Sequence, residues 1–152
     1  MFNKKNLLFI ILSLIIISIT FLGCSFKITQ EATISEKITL SEDEFYTSKN
    51  DVSLFIHTYN KLPSNFIKKK DAINLGWVSN EGNLWDITNN MSIGGDHFGN
   101  RENLLPSKKD RQWYECDINY NGGFRNSERI VFSNDGLIYY TSNHYESFEQ
   151  LY

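Results

Sequence analysis

Apolar and polar positions form three successive patterns along the chain. Residues Leu7–Leu22 are almost all apolar, with only a few small hydroxyl residues among them. Further along, Val52, Phe55, Ile56 and Tyr59 recur at spacings of three and four residues, which places them on one face of a helix. After residue 90 the pattern favours short strands bounded by turn residues. The sequence therefore predicts an apolar leader, then helices, then a β-sheet.

The helices have recognisable boundaries. Ser48, with Asp51 three residues later, predicts the start of the first helix, and the Lys61-Leu62-Pro63 segment is expected to end it. A second helix is predicted over Lys69–Leu75, with Gly76 as its C-cap. A third, short helix is predicted over residues 84–88, capped by Asn83.

The strands follow the helices. The predicted ranges are residues 92–98, 112–118, 127–132 and 137–141. The Ser133-Asn134-Asp135-Gly136 segment predicts a hairpin between the last two. Because helices come first and antiparallel strands after them, the expected fold class is α+β, with N-terminal helices packed on a C-terminal antiparallel sheet.

The N-terminal leader predicts export. Lys4 and Lys5 precede the apolar run, and the run ends just before Cys24, as in a lipoprotein signal peptide over residues 1–23. Lipidation of Cys24 would anchor the protein on the outer face of the membrane. An ordinary signal peptide or an uncleaved membrane anchor are the alternatives, and all three predict an extracellular protein. Residues 24–47 are then interpreted as a flexible tether, and residues 48–152 as the folded domain.

Composition limits the remaining possibilities. The chain has 152 residues, and 41% of them are hydrophobic, which is enough for one domain with its own core. If Cys24 is lipidated, Cys116 has no partner, so no internal disulfide is expected. The formal net charge of −3 counts mildly against nucleic-acid binding, although Lys68, Lys69 and Lys70 form a local basic run.

Four short blocks in the second part of the chain carry a family resemblance. In order, they are Lys61-Leu62-Pro63 with Leu75-Gly76-Trp77-Val78; Ser92-Ile93-Gly94-Gly95-Asp96; Asp117-Ile118-Asn119-Tyr120 with Gly123-Phe124-Arg125-Asn126-Ser127; and Leu137-Ile138-Tyr139 with His144-Tyr145. With this order and spacing, residues from about 51 to 152 resemble the barnase-like microbial ribonucleases, which are secreted and prefer guanosine. The resemblance implies an α+β ribonuclease fold.

The resemblance also implies catalytic roles. Glu115 matches the general base that takes the 2′-hydroxyl proton, and His144 matches the general acid that protonates the leaving 5′-oxygen. Arg125 and Arg129 match the residues that hold the scissile phosphate, and Lys69 matches a third cation of the site. Without the resemblance, a strand carboxylate and a loop histidine would more often be ordinary surface residues.

A second set of residues matches the guanine-recognition loop of the family. Its members are Phe98, Gly99, Asn100, Arg101 and Glu102, with Tyr145 as the expected stacking partner of the base. The Glu102 carboxylate can accept from the ring N–H and amine of guanine, and backbone N–H groups can donate to O6. Gly99 departs from the serine usual in the family but keeps the backbone donor.

The expected function is therefore cleavage of single-stranded RNA after guanosine through a 2′,3′-cyclic phosphate, without metal or cofactor. The resemblance implies a barstar-like acidic inhibitor as a partner, and the enzyme is expected to be monomeric. Two alternatives remain open: a catalytically weak module of the same fold that binds RNA or protein, and a ribonuclease toxin directed at other bacteria.

Overall fold

The structure, a computed structural model, describes residues 40–152. The predicted signal peptide, the lipidation site Cys24 and the tether up to residue 39 lie outside the described residues. Helices and strands follow one another as α1 Lys49–Tyr59, β1 Phe66–Ile67, α2 Lys69–Asn74, α3 Leu84–Ile87, β2 Ser92–Phe98, β3 Trp113–Asp117, β4 Arg129–Ser133, β5 Ile138–Thr141 and β6 Glu149–Gln150. The six strands form one sheet in sequence order, antiparallel except for β1–β2. The α+β prediction is confirmed.

Helix α1 begins as the sequence predicts and ends earlier. The Ser48 hydroxyl oxygen accepts a hydrogen bond from the backbone N–H of Asp51 at 3.1 Å, which caps the first turn. The helix ends at Tyr59 because Asn60 adopts a left-handed conformation, with φ of 54°, and its N–H donates to Ile56 O at 2.8 Å. The left-handed residue, and not the Lys61-Leu62-Pro63 segment, thus ends the helix.

Of the two capping predictions for the shorter helices, the one for Asn83 is wrong. Gly76 follows α2 with φ of +103°, as expected after a helix C-terminus. Asn83 precedes α3, but its side chain does not cap the helix. Its Oδ1 accepts from the Val78 N–H at 2.8 Å and its Nδ2 donates to Gly76 O at 3.0 Å. Asn83 therefore stabilises the loop between the two helices.

The sheet contains two strands that the sequence did not predict. Strands β2 to β5 agree with the predicted ranges within about two residues. Strands β1 and β6 contain two residues each, too few to produce a visible alternation of apolar and polar positions. The predicted hairpin joins β4 and β5, and Gly136 adopts φ of +97° within it.

Alternation along the strands separates the two faces of the sheet. On the helix side, Cys116, Ile130 and Ile138 pack with Val52 and Phe55 of α1 in the main core. On the opposite side, a second cluster consists of Leu105, Trp113, Val131 and Tyr139. Side chains two residues apart on a strand point to the same face. Glu115 and Asp117 therefore lie on the second face with Trp113, and Arg129 lies there with Val131.

The folded domain begins upstream of the predicted boundary at residue 48. Leu40 and Tyr46 are buried in the main core. The Tyr59 hydroxyl donates to Leu40 O at 2.5 Å, and the Asn65 side chain bonds the backbone N–H and C=O of Tyr46. The tether prediction is therefore wrong for residues 40–47. Among residues 40–152, no helix has the length and apolar character needed to cross a membrane.

Candidate active site

Glu115 is the centre of a connected polar cluster on the open face of the sheet. It is 8% exposed, and its carboxylate contacts the Lys69 Nζ and the Tyr145 hydroxyl, one on each oxygen. Burial alone would raise the pKa of Glu115. Hydrogen bonds from Lys69 and Tyr145, with the positive charges of Lys69 and Arg125, more than offset burial and hold the pKa of Glu115 below its ordinary value. Glu115 is therefore an ionised carboxylate available to accept a proton.

The start of α2 brings Lys69 to this carboxylate. The backbone N–H of Lys69 donates to Asp96 Oδ2 at 3.0 Å, and Asp96 lies opposite Glu115 in the β2–β3 pairing. This bond joins the first turn of the helix to the sheet. The Lys69 side chain is 37% exposed and can also face a ligand in front of the sheet.

Asp117, a residue that was not predicted from the sequence to belong to the site, orients both arginines. It is 1% exposed and accepts two hydrogen bonds of 2.6 Å from Arg125, while Arg129 Nε lies 2.9 Å from its Oδ1. Arg129 Nη1 also donates to Asn126 O at 2.8 Å. Two guanidinium groups fixed side by side can bind the oxygens of one phosphate.

A sequence signal for Asp117 existed. It lies two residues after Glu115 on the same strand, so strand alternation puts the two carboxylates on one face. It is also directly opposite Arg129 in the β3–β4 register. A buried carboxylate beside two arginines predicts an ion pair. That proximity follows from the register of β3 against β4, which the sequence alone does not give.

His144 and Tyr145 come from a strained loop after β5. Both have positive φ, 55° and 75°, which costs conformational energy in non-glycine residues. The loop is held by His144 N–H donating to Ser127 O at 3.2 Å and by Tyr145 N–H donating to Thr141 Oγ1 at 3.0 Å. The exposed His144 ring lies 4.7 Å from the Tyr145 ring. The loop thus puts an exposed imidazole beside Tyr145, whose hydroxyl belongs to the Glu115 cluster.

Two open cavities share His144 as a lining residue. The first, of about 410 Å³, is lined by Phe124, Arg125, Arg129 and His144 among others, and is called here the arginine cavity. The second, of about 390 Å³, is lined by Phe98, Glu102, Leu104, His144, Tyr145 and Glu146, and is called the Glu102 cavity. A ligand in either cavity can therefore contact the His144 side chain.

Only some residues of the predicted guanine loop line the Glu102 cavity. Phe98 and Glu102 line the Glu102 cavity, and the Phe98 ring lies 5.1 Å from that of Tyr145. Asn100, with φ of 42°, bonds both backbone groups of Leu105 through its side chain, at 2.9 and 3.0 Å. Asn100 therefore shapes the loop from behind. The remaining loop members, Gly99 and Arg101, contribute no side chain to the walls of either cavity.

Gly99 has no conformational need to be glycine. Its φ is not in the left-handed region, and an added Cβ would meet only the flexible Arg101 side chain, at 3.6 Å. The departure from serine thus leaves the backbone N–H groups of the loop in place.

Another cavity, of about 260 Å³, lies on the helix side of the sheet. It is lined by His57, Tyr114, Phe132 and Gly136 among others. None of the predicted site residues borders it. It is more enclosed than the two open cavities, but it lacks a cluster of groups that could perform the expected chemistry.

Comparison with known proteins agrees with this geometry. The sequence model of the ribonuclease family matches residues 49–152. The chain belongs to the ribonuclease family. It is 49% identical over 100 residues to a ribonuclease of Heyndrickxia coagulans, covering 66% of this chain and 92% of that protein. Ribonucleases of Bacillus intermedius and Bacillus pumilus are also 49% identical over 100 residues, and the match covers 62% of their length.

Family membership confirms the resemblance seen in the four sequence blocks. It identifies RNA as the substrate class of this ribonuclease. The site gathers Lys69, Glu115, Arg125, Arg129 and His144 in front of one face of the sheet, as the resemblance implies. Their individual roles remain predictions.

Proposed function

We propose that this ribonuclease cleaves single-stranded RNA on the 3′ side of guanosine through a 2′,3′-cyclic phosphate. The observation that carries the proposal is the Glu115 cluster: a buried carboxylate bonded by Lys69 and Tyr145, near an exposed His144 and two arginines that contact Asp117. This arrangement offers a base, an acid and a phosphate clamp in one place.

The first step is an in-line transesterification. Glu115 takes the proton of the 2′-hydroxyl as its oxygen bonds to phosphorus, and the bond from phosphorus to the 5′-oxygen breaks. His144 gives a proton to that leaving oxygen. In the second step a water molecule opens the cyclic phosphate, with His144 now accepting a proton and Glu115 returning one, which leaves a 3′-phosphate.

The cations stabilise the charge that grows on phosphorus. The Arg125 side chain is 21% exposed and can donate to phosphate oxygens, while Arg129, which is 3% exposed, lines the same cavity and adds its positive charge there; Asp117 contacts both before substrate arrives. Lys69 adds a third positive charge beside Glu115. With Asp117 and Glu115 counted, these three cations leave one net positive charge facing the phosphate, which can stabilise the charge that grows there, so the proposal needs no metal ion.

Guanosine preference is assigned to the Glu102 cavity. The Glu102 carboxylate is exposed there and can accept from the N1–H and N2 amine of guanine, which adenine does not present at those positions. The Phe98 and Tyr145 rings supply apolar walls for a base.

The test compares GpA with ApA as substrates of the purified protein in the presence of EDTA. We expect cleavage of GpA to be strongly preferred, with a cyclic phosphate appearing before the 3′-phosphate. Glu102→Gln is expected to reduce the GpA-to-ApA ratio while keeping cleavage. The matched control is Glu146→Gln, a neighbouring carboxylate on the same cavity that has no proposed base contact. Equal rates on GpA and ApA in the wild type would contradict the assignment.

Removal of either proton-transfer group tests the catalytic roles. Glu115→Gln and His144→Gln are each expected to lower the transesterification rate by roughly 10²–10⁴-fold. Unchanged rates in both variants would refute the mechanism.

We also propose that the enzyme is exported and held on the outer membrane face by a lipid on Cys24. The apolar run that ends before this cysteine supports the idea. Fatty-acid labelling that is present in the wild type and absent in Cys24→Ser is the expected result; soluble, unlabelled wild-type enzyme would indicate an ordinary signal peptide.

An acidic, barstar-like inhibitor in the producing cell is part of the proposal, since the cation cluster in front of the sheet offers it a complementary surface. The free enzyme is proposed to be a monomer.

A further inference from the structure

Thr141 is a buried residue beside the site that exchanges no proton in the proposed mechanism. It is the last residue of β5 and is 1% exposed. It lies directly opposite Arg129 in the β4–β5 register, so it belongs to the face of the sheet that carries the site. A buried hydroxyl needs hydrogen-bond partners, and the partners of Thr141 indicate its role.

The Thr141 hydroxyl makes every hydrogen bond that a hydroxyl can make, one as donor and two as acceptor. It donates to Asn143 Oδ1 at 3.0 Å, and it accepts from the backbone N–H of Tyr145 at 3.0 Å. It also accepts from the backbone N–H of Asn143, over a longer distance of 3.4 Å. These two partners are the residues immediately before and after His144. One buried hydroxyl thus holds the chain on both sides of the imidazole.

The backbone at His144 and Tyr145 needs such support. Their φ angles of 55° and 75° fall in the left-handed region, which is unfavourable for residues with a Cβ and persists only where the surroundings impose it. Ser127 O accepts from the His144 N–H at 3.2 Å, and the Thr141 hydroxyl holds the two flanking residues. Loss of that hydroxyl would free the loop to relax towards an ordinary conformation and to carry the imidazole with it.

We propose that Thr141 is a positioning residue, whose hydroxyl keeps the His144 imidazole where it can protonate the leaving 5′-oxygen. Proton transfer requires the donor within hydrogen-bond distance of that oxygen, so a displacement of about 1 Å is enough to slow the step roughly 10²-fold. Thr141 acts through the backbone and does not touch the reacting atoms. The inference rests on the proposed function, because it takes the acid role of His144 from there.

Two substrates that differ in one atom separate proton donation from other effects. The first is GpA, and the second is the same dinucleotide with sulfur in place of the bridging 5′-oxygen. A thiolate leaves phosphorus without receiving a proton, so cleavage of the sulfur substrate does not need the acid. Both values of kcat/KM are measured on one enzyme sample, so an unfolded fraction of the enzyme cancels in their ratio.

The variants remove or keep the hydroxyl. Thr141→Val replaces it by a methyl group, with Thr141→Ala in its place if the valine variant does not fold, and Thr141→Ser keeps it. His144→Gln gives the ratio expected when the acid is absent. Thr88→Val is the matched control, because the Thr88 hydroxyl also donates a hydrogen bond, to Leu84 O at 2.6 Å, but follows α3 and lines neither open cavity.

We expect Thr141→Val to lower the ratio of kcat/KM for GpA to that for the sulfur substrate by roughly 10²-fold, in the same direction as His144→Gln. Thr141→Ser and Thr88→Val are expected to keep the wild-type ratio. An unchanged ratio in Thr141→Val would overturn the proposal even if both rates fall, because the loss would then come from the site as a whole. An equal reduction in Thr141→Ser would also overturn it, because the effect would then come from packing and not from the hydroxyl.

Failure of this inference is distinguishable from failure of the proposed function. If sulfur restores the rate of His144→Gln but not that of Thr141→Val, the acid role stands and the positioning role alone is refuted. If sulfur restores neither variant, His144 is not the acid, and the proposed mechanism fails together with the role of Thr141.

Discussion

Replacing Asp117 by asparagine is expected to destabilise the ribonuclease strongly. The carboxylate is 1% exposed and carries the only negative charge that the structure places in direct contact with both Arg125 and Arg129 among residues 40–152. Asparagine has the same shape, so little packing changes, but it leaves two guanidinium charges without compensation. The Arg129 side chain is only 3% exposed and cannot recover its hydration, whereas that of Arg125 is 21% exposed and can do so in part.

The magnitude follows from this burial. Removing one partner of a buried ion pair costs about 3–5 kcal/mol. The partial access of Arg125 to water argues for the lower part of that range, about 3 kcal/mol. For comparison, Glu42 and Lys61 form an exposed pair, with side chains 50% and 56% accessible. Glu42→Gln should cost only about 0–1 kcal/mol, because such pairs are well solvated.

Equilibrium unfolding in urea, followed by tryptophan fluorescence, measures both variants. A double variant, Asp117→Asn with Arg129→Met, should recover part of the loss, since it removes one of the uncompensated charges. A cost for Asp117→Asn no larger than that for Glu42→Gln, or a double variant less stable by the sum of both single effects, would refute the reasoning.

Three further predictions concern titration and reactivity. Lys69→Gln removes a hydrogen bond and a positive charge that counter the effect of burial on Glu115, so the pKa of Glu115 should rise. The acid limb of kcat/KM against pH should then move to higher pH. An unmoved limb would contradict the role of Lys69. Burial raises the pKa of the Cys116 thiol well above its ordinary value, so mass spectrometry should find it alkylated only after unfolding, and rapid labelling of native protein would contradict this placement. Arg111 holds the pKa of Asp135 well below its ordinary value, so the ionised carboxylate stabilises the fold at neutral pH. Asp135→Asn should therefore be less stable than the wild type at neutral pH, and this difference should shrink as the pH falls below about 4. A difference that does not depend on pH would argue against the ion pair.

The sequence predicted the elements whose signals are local. Helix α1 has both a capping residue, Ser48, and four apolar positions with helical spacing, and strand β2 is bounded as expected. The short strands β1 and β6 gave no signal, because two residues cannot show a period and their pairing depends on neighbours distant in the chain. The burial of Leu40 was missed for the same reason, since it comes from contact with Tyr59, nineteen residues away.

In the site, too, residues with a local sequence signal were predicted, and those that depend on contacts distant in the chain were not. Glu115 and His144 were recognised through the resemblance to a known family: His144 lies in one of its motif blocks, and Glu115 lies two residues before another. Asp117 was part of one of those motifs and was still not assigned a role, because its importance comes from the register that sets it opposite Arg129. Asn100 was predicted to bind substrate as a member of the loop, and this stays a prediction; the sequence did not show that its side chain closes the loop through Leu105. Register and loop closure are tertiary properties, and residue type alone does not reveal them.

The net charge of −3 suggested a poor partner for RNA, and the structure explains why that inference is weak. Three of the acidic residues, at positions 42–44, belong to the N-terminal segment that packs with the helix side of the sheet. On the opposite face, one carboxylate, Asp117, is shared by two arginines, so the group keeps one positive charge in front of the sheet. Lys69 balances Glu115, which keeps the base ionised without making the site negative. Phosphate therefore meets a local cation cluster, and charge within about one Debye length, roughly 10 Å, decides its binding more than the total does.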